Sequence, residues 1–248
     1  MIMINEYLYD STFEGLLTCI FYSYSSKEEI KITKSKNYLP SLISSPIEIK
    51  TEIDKFNRVY SSIRDKLSYK TLKTIYYLHL SNINDIEILI LKYLKLCYRY
   101  GDNINLAKNN EVISMVDKCY RRVSLEAHRF TGFVRFKKLL NDLYYSCIEP
   151  DNNILPIISN HFIKRFSDQN FVIHDLKREI ALIYNKTDST ILTLSKSEAQ
   201  VLFSTCNDNF ESLWKTFYNS VNIKERENLR LQKLHMPTRY WHNLTEVK

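Results

Sequence analysis

The sequence predicts an α+β fold, with a mainly antiparallel sheet at about 130–195 and helices packed on it. Three observations carry this expectation. Residues 52–127 repeat their apolar positions at helical spacing. Near His128 the pattern changes to short alternating runs. A further helical face begins at Asp208. Helical and strand signals that are segregated along a chain suit an antiparallel sheet with helices to one side. The 248 residues are expected to form a single domain, 1–248. Within it lie a helical portion at 52–127, a sheet portion at 128–195, and a C-terminal helix with a basic tail at 208–248.

Taken in order, residues 4–9 read as a strand and 12–24 as a helix. Ser11 and Glu14 suggest a capping box, and Phe13, Leu16, Leu17, Ile20 and Tyr24 form its apolar face. Residues 25–45 are polar and read as a surface loop, followed by a second strand at Ile47–Lys50. Phe56, Val59, Tyr60 and Ile63 mark one helix, and Leu72, Ile75, Tyr76 and His79 another. Asn84 and Glu87 can cap a helix that Gly101 stops, and a fourth helix covers about 109–127. Phe133–Phe136 and Leu143–Ile148 then look like strands joined at Asn141-Asp142. A helix at 154–166 and strands at 171–175, 180–184 and 190–194 follow.

The composition narrows the function. Only Gly15, Gly101 and Gly132 are glycine. Phosphate-cradling loops need glycine so that backbone N–H groups can approach the anion. Without them the sequence has no P-loop, dinucleotide fingerprint or nucleophile elbow, and no cofactor is expected. Cys19, Cys97, Cys119, Cys147 and Cys206 contain no C-x-x-C pair, so neither a disulfide framework nor a metal site is expected. They read as reduced thiols of a soluble, cytoplasmic protein. The opening Met1–Glu6 lacks the basic and apolar regions of an export signal, and Ile86–Leu96 is too short and too charged to span a bilayer, so no membrane partner is expected. The formal charge is +7, from 35 Lys and Arg against 28 Asp and Glu, which suits a polyanionic partner.

Two basic clusters carry aromatic residues. In the first, Arg121, Arg122, Arg129, Arg135, Lys137 and Lys138 interleave with Phe130, Phe133 and Phe136. On a strand from 132, Phe133, Arg135 and Lys137 would share one face. In the second, Lys224, Arg226, Arg230, Lys233 and Arg239 lead to Tyr240 and Trp241. Cations for phosphate beside flat rings for bases are what single-stranded nucleic acid requires. The alternative is that the rings are core and the cations a solvated rim, with the tail strapped across the molecule. His128, and His174 beside Asp175, are the candidates for acid–base chemistry, although neighbours on a strand point to opposite faces. His161 and Arg165 share one helix face.

The run His128-Arg-Phe-Thr-Gly-Phe-Val-Arg-Phe136 resembles a motif of DUF4130, a bacterial group labelled a probable DNA metabolism protein. Tyr7–Asp10, Thr12–Gly15, Glu149-Pro-Asp151, Leu155-Pro156, His161-Phe162, Arg165-Phe166, Asp168-Gln169, Ile173–Asp175 and Arg178 extend the resemblance in order. The ending Leu231-Gln-x-x-His235-Met-Pro-x-Arg239-Tyr-Trp241 is its most specific part. The resemblance implies a setting beside DNA-modification or repair radical-SAM proteins, or fusion to uracil-DNA-glycosylase-like domains. It supplies no catalytic residue. The resulting expectation is a DNA-binding or accessory protein in DNA repair or modification, partnered by a radical-SAM or glycosylase-type enzyme. Its contacts would come from Arg129, Arg135, Lys137, Arg165, Arg178, Arg230, Lys233, His235, Arg239, Tyr240 and Trp241. Arg129, Arg135, Arg178 and Arg239 are expected on one concave face. A cofactor-free DNA glycosylase or hydrolase, and a protein-binding scaffold, are the alternatives.

Overall fold

A computed structural model of the protein describes residues 4–26, 30–40, 44–139, 142–203, 216–218, 220–221 and 228–245. Its contacts fall into two compact units, Met1–Val123 and Ser124–Lys248.

The first unit holds a three-stranded sheet in the order β2-β1-β3, all parallel: β1 is Ile4–Tyr9, β2 Ile30–Lys34 and β3 Ser44–Glu48. The polar stretch 25–45 is therefore not simply a loop. Ile30 and Ile32 alternate inward, and that apolar pair draws β2 onto β1. Pro46, which has no N–H, lies in an edge strand. Helix α1 (Phe13–Ser25) starts at Thr12, whose Oγ1 accepts from the Gly15 N–H at 2.9 Å. Ser11 is not the cap; it takes a positive φ of 69° in the turn before it. A Cβ on Gly15 would lie 2.3 Å from Asp10 Oδ1, so this close approach requires glycine.

Helices α2 (Ile53–Lys66), α3 (Tyr69–His79) and α4 (Ile86–Tyr100) follow, and their inward residues Ile63, Leu72, Ile75, Ile90, Tyr93 and Leu94 join Tyr9, Leu16 and Ile20 in one core. Asp85 precedes α4 without a side-chain cap bond, and Glu87 is buried, accepting from the Tyr9 hydroxyl at 2.8 Å. Neither does the work assigned to Asn84 and Glu87 as caps.

Helix α5 is longer than the sequence period suggests. It runs Glu111–Phe133, and the division between the two units falls within it. Val123, Ala127 and Phe130 keep the helical spacing of buried positions past His128, so the expected strand Phe133–Phe136 does not form. Only Lys137–Lys138 remains as a short strand, β4.

The second unit contains a five-stranded sheet in the order β4-β5-β6-β7-β8, with β5 Leu143–Ile148, β6 Asn170–Asp175, β7 Ile180–Asn185 and β8 Ser189–Thr193. The strands of 143–193 fall close to where the pattern puts them. The expected antiparallel character does not hold throughout, because β5 and β6 are parallel. Helix α6 (Leu155–Arg165) connects them, and parallel neighbours need such a crossover. With the parallel first sheet, the fold is mixed α/β. On one sheet face Tyr145, Val172 and Ala181 pack with Leu139 and with Ala199 of α7 (Lys196–Phe203). On the other, Phe171 meets Phe136 and Phe166. The chain closes with α8 (Leu229–His235) and a 3-10 turn, Thr238–Asn243. The helix expected from Asp208 lies largely outside the described residues, as do Cys206, Lys224 and Arg226. No described helix is long and apolar enough to cross a membrane.

Candidate nucleic-acid interface

Three groups of side chains in the second unit bear on function. The first sits at the carboxyl ends of the parallel strands β5 and β6, where open sheets with parallel strands commonly place ligands. Here Glu126 of α5 is buried and accepts four hydrogen bonds. They come from the Asp151 N–H at 2.7 Å, the Asn152 N–H at 2.9 Å, Asn152 Nδ2 at 2.6 Å and the Tyr240 hydroxyl at 2.5 Å. Asp175 is fully buried at the end of β6. It accepts from the Lys177 and Arg178 N–H groups and pairs with Arg178 Nη1 at 2.8 Å. Arg178 also donates to the Pro150 and Asp151 carbonyls, so one guanidinium ties the two strand ends together. Arg239 pairs with Asp151 Oδ2 at 2.9 Å and lies over the Tyr240 ring, 4.6 Å from its centre. Burial, and then Glu126, push the Tyr240 phenol well above its ordinary range. The arrangement locks the tail onto α5 and the strand ends, with Arg178 and Arg239 each matched by a carboxylate.

The four arginines expected on one face make different bonds. Arg178 and Arg239 meet around Asp151. Arg129 instead donates to the Leu234 carbonyl at 3.2 Å, and Arg135 to the Gly132 carbonyl at 2.6 Å. His174 and Asp175 lie on opposite faces of β6, as neighbours on a strand must. His174 is fully buried; Nε2 faces the Leu194 carbonyl at 2.9 Å and Nδ1 the Tyr145 hydroxyl at 2.6 Å. A carbonyl only accepts, so Nε2 carries the proton and Nδ1 accepts from Tyr145. Burial lowers the pKa of this ring, and the Leu194 bond opposes that in part. Both nitrogens are engaged, which leaves no site for a substrate proton. His128 is exposed on α5. Trp241 donates from Nε1 to the Met236 carbonyl at 2.8 Å, and Arg230, Lys233 and His235 are exposed on α8.

The second group is a small cavity of about 130 Å³ lined by Arg135, Lys137, Tyr145, Cys147, Asn243 and Thr245. Lys137 is the register partner of Tyr145, and the Cys147 thiol reaches Asn243 Oδ1 at 3.5 Å. The third is a larger cavity of about 400 Å³ on the opposite sheet face, lined by Phe136, Tyr144, Phe166, Asp168, Gln169 and Phe171. Tyr144 and Phe171 are register partners on β5 and β6, and Phe166 follows α6. Arg165 stands 5.8 Å from the Phe166 ring centre. Neither the role of Glu126 nor the assembly of this aromatic wall follows from the motifs. An acid among the apolar positions Val123, Ala127 and Phe130 is the signal that would have found the first.

The sequence pattern of the family described as "Domain of unknown function (DUF4130)" matches residues 84–246. The chain belongs to the DUF4130 family. No curated protein matches this DUF4130 chain. Among solved structures it is similar to the pGpG-specific phosphodiesterase PggH from Vibrio cholrae, at 7% identity and a TM-score of 0.38, over 82% of this chain and 97% of that one. A likeness that slight says nothing of this protein's substrate.

Proposed function

We propose that this DUF4130 protein binds DNA through its phosphates and serves as an accessory subunit, holding the strand for a separate enzyme of the radical-SAM or glycosylase type. The observation that carries the reading is the cavity lined by Arg135 and Lys137 together with Asn243 and Thr245. Two cations with an amide and a hydroxyl form a donor-rich recess on the scale of one phosphate group, and arginine presents a planar fork to its oxygens. The accessory role is supported by His174 and Asp175. Both are buried in bonds that hold the fold, so this histidine–aspartate pair is committed elsewhere. The Asp151 cluster contributes indirectly, by fixing the tail that brings Asn243 to the cavity.

The test is fluorescence anisotropy with labelled single- and double-stranded oligonucleotides. Arg135→Glu with Lys137→Glu should abolish binding of every sequence alike, because phosphate contacts position a protein without reading bases. Arg58→Glu, exposed on α2, should bind as the parent does. No binding by the parent at low salt overturns the reading. Turnover of any oligonucleotide by the pure chain overturns the accessory role.

A further inference from the structure

We propose that the aromatic cavity between β5, β6 and the end of α6 receives an unstacked nucleobase of a single strand, and guanine in preference to the others. The inference rests on the reading of the chain as a DNA-binding protein and assigns the base-recognising part of that surface.

The cavity is walled largely by aromatic rings. Its volume of about 400 Å³ falls in the range of small-molecule sites. Four of its walls are aromatic. Phe136 stands edge-on to both Phe166 and Phe171, with ring centres 5.2 and 5.6 Å apart and interplanar angles of 73° and 66°. Tyr144 lies beside Phe171 on the neighbouring strand. Rings held at these angles present both faces and edges to an incoming ring, which is how aromatic pairs prefer to meet. Besides the Tyr144 phenol, the polar side chains of the lining are Asp168 and Gln169, next to each other in the link from α6 to β6. Arg165 flanks the walls, lying over Phe166. Lys138, the register partner of Tyr144, is paired with Asp142 at 2.6 Å. Rings for a base with cations beside them for its phosphate form the combination that single strands bind.

The polar pair selects among bases. The Gln169 amide donates to Asp168 Oδ2 at 3.1 Å, which engages one of its two N–H groups and leaves the second able to donate. The Asp168 carboxylate only accepts. Guanine alone among the common bases places two donors, N1–H and the N2 amine, side by side, with the O6 acceptor next to them. That edge matches a carboxylate followed by an amide donor. Adenine and cytosine set a ring acceptor beside their amine, which opposes the carboxylate. Thymine has one N–H between two carbonyls.

The experiment uses the full chain and thymidine oligonucleotides carrying one central guanine, hypoxanthine, adenine or abasic site. Guanine should bind tightest. Hypoxanthine, which lacks the N2 amine, should lose about tenfold or more, the worth of a hydrogen bond to a charged group. The abasic oligonucleotide should bind no better than thymidine alone. Asp168→Asn should erase the guanine preference while leaving the melting temperature unchanged, since Asp168 is exposed. Phe166→Leu, which keeps an apolar side chain at the wall, should weaken guanine binding without unfolding the protein. Equal affinity for guanine, thymine and abasic strands overturns the base pocket and leaves the phosphate reading standing, as does a guanine preference that survives Asp168→Asn. Failure to bind any oligonucleotide overturns both.

Discussion

Glu126 occupies a position that a helical period assigns to an apolar side chain, and its surroundings explain why a carboxylate is stable there. Two backbone N–H groups, an amide and a phenol all donate to it, so its lone pairs are satisfied by groups that would themselves be costly to bury unpaired. Glu126→Gln is expected to destabilise the protein by about 2–3 kcal/mol, because a donating NH₂ would face donors. Chemical denaturation would measure the loss. His79 makes the opposite case. Burial, with Lys34 nearby, lowers its pKa to about 3, and its Nδ1 has no partner among the described residues. The folded ring stays neutral where the unfolded ring, with an ordinary value near 6.5, takes a proton. The unfolded state therefore binds more protons between those two values, and stability falls as pH drops through that window. His79→Leu should make the denaturation midpoint less sensitive to pH between 7 and 5. An unchanged slope would show that the ring titrates alike in the folded and unfolded states.

At the scale of elements, α5 shows what a local pattern misses. The run from Gly132 to Lys138 alternates cleanly enough to read as a strand. The helix wins up to Phe133 because Phe130 and Phe133 pack on Tyr240, more than a hundred residues later, and no local window contains that partner. Thr131→Pro tests the assignment. In the helix it removes a backbone bond and clashes with the preceding turn, for about 3 kcal/mol or more; in an edge strand it would be nearly neutral. Thermal unfolding of the variant distinguishes the two. The strands of 143–193 were legible because turns and alternation are local properties. Their pairing was not, since the parallel direction of β5 and β6 follows from how α6 packs rather than from any residue within them. In the same way β2 hid in a polar stretch, where the alternation of Ile30 and Ile32 was too short a sign to mark a strand. The candidate site divides likewise: Arg135 and Lys137 stood out as a charged run, whereas the aromatic cavity is assembled from residues between 136 and 171 that only the fold collects.

For the molecule as a whole, the excess of seven positive charges becomes informative only where it meets a recess. Arg178 and Arg239 look like phosphate ligands in the sequence, yet each is matched by a carboxylate and contributes to holding the tail. Counting basic residues would therefore overstate the number of phosphates engaged, and salt dependence gives the true count. Each contact releases counterions, so the slope of log affinity against log salt is about −0.7 per contact on a single strand. If Arg135 and Lys137 supply two contacts, raising salt from about 50 to about 200 mM costs them roughly sevenfold in affinity. Replacing both by neutral glutamine should make the slope shallower by about 1.4. Arg178→Gln should leave the slope unchanged in the folded protein and lower the melting temperature instead, since its partners are Asp175 and the carbonyls of Pro150 and Asp151. Anisotropy titrations at four or more salt concentrations, each run below the melting temperature of the variant, show which of these side chains touch phosphate. A shallower slope for Arg178→Gln would move the phosphate path to the strand ends and away from the recess beside Asn243.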